Sequence, residues 1–96
     1  MPNPNPPQVP TGLKIDSTTV TTASISWSPV VYDGGIKEYQ IFRNGKQVGT
    51  SSTETYKDTG LTGDTTYSYQ VKAVGNNGLI SSLSTELSVK TAVSGT

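Results

Sequence analysis

Apolar side chains along this chain recur at every second position, and no window carries the three-then-four spacing of a helical stripe. Leu13 and Ile15 alternate with Lys14 and Asp16. Ala23, Ile25 and Trp27 alternate with three serines. Tyr39 and Ile41 alternate with Glu38 and Gln40, Tyr67 to Ala73 with Ser68, Gln70 and Lys72, and Leu87 and Val89 with Ser88 and Lys90. A period of two sends successive side chains to opposite faces of an extended strand, so each run reads as a strand with one face buried and one wet. That pattern belongs to antiparallel sheets, and it leaves almost no room for helix.

Turn chemistry divides the runs. Asn44-Gly45 stands between 41–43 and 46–48, and both residues tolerate the positive φ that a two-residue hairpin requires. Pairing Arg43 with Lys46 then sets Ile41 opposite Val48. Asp33-Gly34-Gly35, Gly63-Asp64 and the 75–78 run Gly-Asn-Asn-Gly supply further turns. Seven strands are expected, near 12–16, 22–28, 36–43, 46–50, 53–58, 66–75 and 85–91. Short alternating strands at this spacing predict an all-β, seven-stranded antiparallel β-sandwich.

The ends differ from the middle. Five of the six prolines lie in residues 2–10, where fixed φ and missing amide hydrogens favour an extended, semi-rigid segment. The expected organisation is a Pro-rich linker over 1–10, a folded domain over 11–91 and a flexible tail over 92–96, as for a module cut from a longer protein. The core is thin: Leu, Ile, Val and Phe together number 20 of 96 residues, yet the formal net charge is zero, which separates the chain from charge-driven disorder. Twelve serines and fifteen threonines keep the outer faces soluble without charge. No apolar run is long enough for a transmembrane helix, and no basic excess exists to displace counterions from nucleic acid.

Three local patterns coincide. Trp27 closes the second expected strand and is followed by Pro29. Leu61 precedes Tyr67 by six residues in Leu-Thr-Gly-Asp-Thr-Thr-Tyr. The third strand reads Tyr39-Gln-Ile-Phe-Arg-Asn-Gly45. Together they resemble the fibronectin type III family from about Val9 to Thr91, with Gly63-Asp64 in place of the Pro-Gly common in that turn. The resemblance implies a structural trio: Trp27 as the plug between two sheets, and Tyr67 as a tyrosine corner packed on Leu61 with its hydroxyl bonded to backbone. The Arg-Asn-Gly hairpin and short 46–50 strand are more similar to the bacterial branch, familiar as spacers in secreted chitinases and cellulases and in phage structural proteins. The resemblance therefore implies an immunoglobulin-like fold, an extracellular or virion-surface location, and a non-catalytic spacer of a secreted bacterial polysaccharide-degrading enzyme whose partners are neighbouring domains of its parent chain. The alternatives are an accessory domain of a phage tail or capsid protein adhering to host cell-surface carbohydrate, and a generic adhesin or protein-interaction module.

Chemistry has little to work with. Without His or Cys there is no thiol nucleophile, disulfide, Ser-His-Asp triad or Cys/His metal site. The acids Asp16, Asp33, Glu38, Glu54, Asp58, Asp64 and Glu86 show no spacing that converges two of them, and no Asp-x-Asp run offers a calcium loop. No catalytic, cofactor or metal residues are expected. Candidate contacts with a ligand or partner are Tyr32 in the loop after Trp27, outward-facing Phe42, and Leu79 and Ile80 in the 75–84 loop. A polysaccharide or bacterial cell-surface glycan is the ligand class to which exposed aromatics point. Nucleic acid and membrane are not expected partners, and the isolated fragment is expected to be a monomer.

Overall fold

The computed structural model describes residues 5–93. It contains seven strands and, among these residues, no helix: β1 (Lys14–Thr18), β2 (Ala23–Ser26), β3 (Ile36–Arg43), β4 (Lys46–Ser51), β5 (Thr55–Asp58), β6 (Thr66–Gly75) and β7 (Leu87–Lys90). One sheet has the order β1-β2-β5 and the other β4-β3-β6-β7, all neighbours antiparallel. The inward-facing residues of both sheets make one core of Ala23, Ile25, Trp27, Tyr39, Ile41, Leu61, Tyr69, Val71, Ala73 and Val89. Trp27 lies just past the end of β2, and its ring meets Tyr39 edge-on at 5.4 Å between centroids. This geometry sets a positive ring edge against a negative face. Its indole nitrogen is buried with no hydrogen-bond partner.

The hairpin at Asn44-Gly45 forms as expected, with φ of 53° and 84° and Arg43 opposite Lys46. Its register then departs from simple alternation. Phe42 pairs Gln47, but Ile41 pairs Gly49, so Val48 is the extra residue of a β-bulge and does not face Ile41. The end of the Tyr56 side chain fills the space beside Gly49, where a Cβ would collide with the ring. A second irregularity falls between Ile15 and Ser17 of β1. Ile15 pairs Ile25 but stays 44% exposed, on an edge strand with no paired strand on its outer side.

The segment expected to be linker through Pro10 is docked over its second half. Pro7 and Pro10 are buried, and the Thr11 carbonyl accepts a hydrogen bond from the Ser28 amide at 2.9 Å. At the other end Thr91 is buried, and Ala92 donates to the Thr19 carbonyl while accepting from the Asp64 amide, both at 3.0 Å. Of the tail expected over 92–96, residues 94–96 lie outside the described residues. The chain thus comes in beside the 29–35 and 75–79 loops and goes out beside the 19–22 and 62–65 turns, at opposite poles of the sandwich.

Candidate functional site

A charged cluster between the two sheets, buried at Asp58 and Tyr69 and partly exposed at Arg43, follows from strand parity. Asp58 ends β5 on the same face as Tyr56, and Arg43 and Tyr69 are register partners on the inner face of β3 and β6. Arg43 Nη1 lies 2.7 Å from Asp58 Oδ2, and the Tyr69 hydroxyl donates to the same oxygen at 2.6 Å. The Arg43 guanidinium also sits 5.8 Å from the centre of the Tyr67 ring. Burial, then the bond to Asp58, raises the Tyr69 phenol far above its ordinary value. The cluster therefore joins one sheet to the other through a carboxylate with two donors. Among the described residues no group of three or more acids, His or Cys could hold a metal ion.

The trio implied by family resemblance is placed as follows. Trp27 and Leu61 are buried, and Tyr67, half-buried, packs on the core from its edge. The Tyr67 hydroxyl accepts from the Thr62 amide at 2.9 Å, a bond from the corner back onto the turn that precedes it. Thr91 reinforces that turn, its hydroxyl donating to the Thr62 carbonyl at 2.6 Å and accepting from the Thr65 amide at 3.1 Å.

The four candidate contact residues do not form one surface. Phe42 is half-buried on the outer face of the four-stranded sheet, and the ammonium of Lys72 sits 5.3 Å above its ring. Tyr32 lies beyond the other end of β3, its ring against Gly75, which pairs Ile36. Six residues of strand separate those positions, roughly 20 Å, so the two aromatics make no continuous sugar-stacking row. Leu79 is half-buried, and Ile80, 43% exposed, makes an isolated bridge to Val74. Tyr32 is tied into a network instead. Its hydroxyl donates to the Asn5 carbonyl and accepts from Asn77 Nδ2 at 3.0 Å.

With two sheets, the Trp27 plug and the Tyr67 corner described, comparison with known proteins decides the family. The fibronectin type III domain model matches residues 6–90. This chain belongs to the fibronectin type III family. Its similarity to a chitinase, Chi52 of Paenibacillus xylanexedens, is 45% identity over 91 residues, covering 95% of this chain but 17% of that protein. Exoglucanase B of Cellulomonas fimi is 39% identical over 92 residues, 94% of this chain and 8% of its own length. A poly(3-hydroxybutyrate) depolymerase of Ralstonia pickettii is 45% identical over 65 residues, 68% of this chain and 13% of its own. The fibronectin type III domain thus spans less than a fifth of each of these relatives. Among its described residues no helix is long and apolar enough to cross a membrane.

Two features of the domain escape a reading of the sequence strand by strand. Asp58, Arg43 and Tyr69 each put a polar group on inward parity, a signal that gains meaning only when the three strands are taken together. The Tyr32–Asn77–Asn5 network joins positions 27 and 45 residues apart in sequence, and no local pattern announces it.

Proposed function

We propose that this fibronectin type III domain is a non-catalytic spacer of a secreted bacterial polymer-degrading enzyme of chitinase or cellulase type, working outside the cell. The observation that carries the reading is coverage. Nearly the whole chain corresponds to a small part of a chitinase and of an exoglucanase, and most of it to a small part of a polyester depolymerase. Those names span glycosidic and ester bonds, so what the module adds is common to all of them and is not the chemistry of one bond. Its shape suits the task. The molecule measures 61 × 19 × 19 Å, and its two ends emerge at opposite poles.

The mechanism is geometric. A stiff unit of fixed length keeps a catalytic domain and a polymer-binding domain apart yet tethered, which raises the effective concentration of the active site at the polymer surface. No ligand contact is needed for that. The side chain best placed for a weak polysaccharide contact is Phe42, and stacking there requires Lys72 to leave the ring. The relatives lend nothing to a role on phage tails or capsids. In the parent enzyme, deletion of the module is expected to lower product release from insoluble polymer several-fold while sparing soluble oligomer turnover. Equal loss on both substrates would overturn the spacer reading.

A further inference from the structure

We propose that the N-terminal pole is a clasp for the incoming polypeptide, with Tyr32 and Asn77 as its jaws, so that the module fixes the direction of the upstream neighbour as well as its distance. The purpose of such a clasp rests on the spacer reading, whereas its contacts stand by themselves.

The clasp is built from two loops that interlock before they touch the incoming segment. The Asn76 amide donates to the Gly35 carbonyl at 3.0 Å, and Asn76 Nδ2 donates to the Gly34 carbonyl at 2.7 Å. Asn77 is oriented by a turn of its own, its Oδ1 accepting from the Leu79 amide at 3.1 Å, which aims Nδ2 at the Tyr32 hydroxyl. With that donor supplied, the phenol proton is directed to the Asn5 carbonyl. Pro7 and Pro10 are buried behind this contact, so the segment is held by apolar burial at two points and by a directed hydrogen bond beyond them. Proline in between limits φ and keeps the span from folding back.

Gly75 is the residue that makes room. Its φ is not in the left-handed region, so its backbone would accept any side chain, yet a Cβ there would stand 2.6 Å from Tyr32 Cε2 and 2.8 Å from Asn77 Oδ1. Both jaws close over a position that carries no side chain. That coincidence separates a built contact from two loops that merely lie near each other. It also gives a substitution, Gly75→Ala, that pushes the jaws apart without removing the hydroxyl, the amide or any part of the segment itself.

The test uses the 96-residue chain and backbone 15N relaxation, read at Asn5 and Gln8. Intact protein is expected to show order parameters there near the rigid-backbone level of ~0.85, as in the strands. Tyr32→Phe, which keeps the ring and removes the proton, and Gly75→Ala are both expected to drop Asn5 below ~0.6 with strand values unchanged. Should Gly75→Ala fail to fold, as reported by strand amide dispersion, Tyr32→Phe decides alone, since it removes one surface hydroxyl. An Asn5 already below ~0.6 in the intact chain, or unchanged in Tyr32→Phe, overturns the clasp. Neither outcome depends on any polymer assay, so the clasp and the spacer reading fail separately.

Discussion

Two tyrosine hydroxyls do opposite work in this domain. Tyr69 donates to Asp58 in the interior, where Arg43 completes a link between the two sheets. Tyr32 donates to Asn5 at the N-terminal pole, where Asn77 completes a link between two loops and the incoming chain. In the interior, water cannot replace a lost partner, so removing one group leaves another stranded and costs stability. At the pole, water can replace it, and what is lost is direction. The same chemical group thus serves cohesion in one place and orientation in the other, and burial decides which.

The largest effect is expected at Asp58. Asp58→Ala leaves the buried Tyr69 hydroxyl without its acceptor and the partly exposed Arg43 without its ion pair, and is expected to cost about 3 kcal/mol, read as a shift in urea midpoint at unchanged slope. A loss below about 1 kcal/mol would mean that water reaches the Tyr69 hydroxyl as readily as it reaches the exposed flank of Arg43, and the interior and the pole would no longer differ in kind. Tyr69→Phe keeps the ring and removes one of two donors to a buried carboxylate, for an expected loss of about 2 kcal/mol.

Alkaline pH tests the phenols that burial shifts. Burial raises Tyr69, Tyr39 and Tyr56 above the usual phenol value of 10.0, so the fold favours their protonated forms. Their contribution is therefore complete below about pH 10 and is lost above it, as the unfolded chain ionises first. Melting temperature is expected to hold level from about pH 8 to pH 10 and then fall, less steeply in Tyr69→Phe. Tyr67→Phe, at the rim of the core, is expected to cost about 1 kcal/mol for its single bond to the Thr62 amide. Smallest of all, Tyr32→Phe is expected to change stability by less than about 0.5 kcal/mol, whatever it does to Asn5.

Alternation makes the sandwich legible because one buried face per strand is a property of each strand alone. Trp27, Ile41 and Val71 can be set inside by counting in twos, and Asn44-Gly45 fixes where one hairpin turns. Counting fails where the ladder slips or stops being covered. Val48 loses its place opposite Ile41 because a bulge sets Gly49 there, under the end of Tyr56, and Ile15 stays half-exposed because the outer edge of β1 pairs with no strand. Neither fact is written in the strand that suffers it. The polar assemblies are hidden for the same reason. Asp58, Arg43 and Tyr69 come from three strands in two sheets, and Tyr32, Asn77 and Asn5 from two loops and an arm, so each assembly exists only after folding. Pro7 and Pro10 show the reverse case, in which composition speaks for linker and burial speaks for domain.

A module that contributes geometry and no recognition of polymer is replaceable by any other of the same dimensions. The decisive measurement exchanges it, within its parent enzyme, for an unrelated rigid β-sandwich of equal end-to-end length. Activity on insoluble polymer is expected to survive the exchange. If activity instead fell to the level of the deletion, with the length preserved, the surface of this particular domain would be binding something, and a purely geometric role would be contradicted.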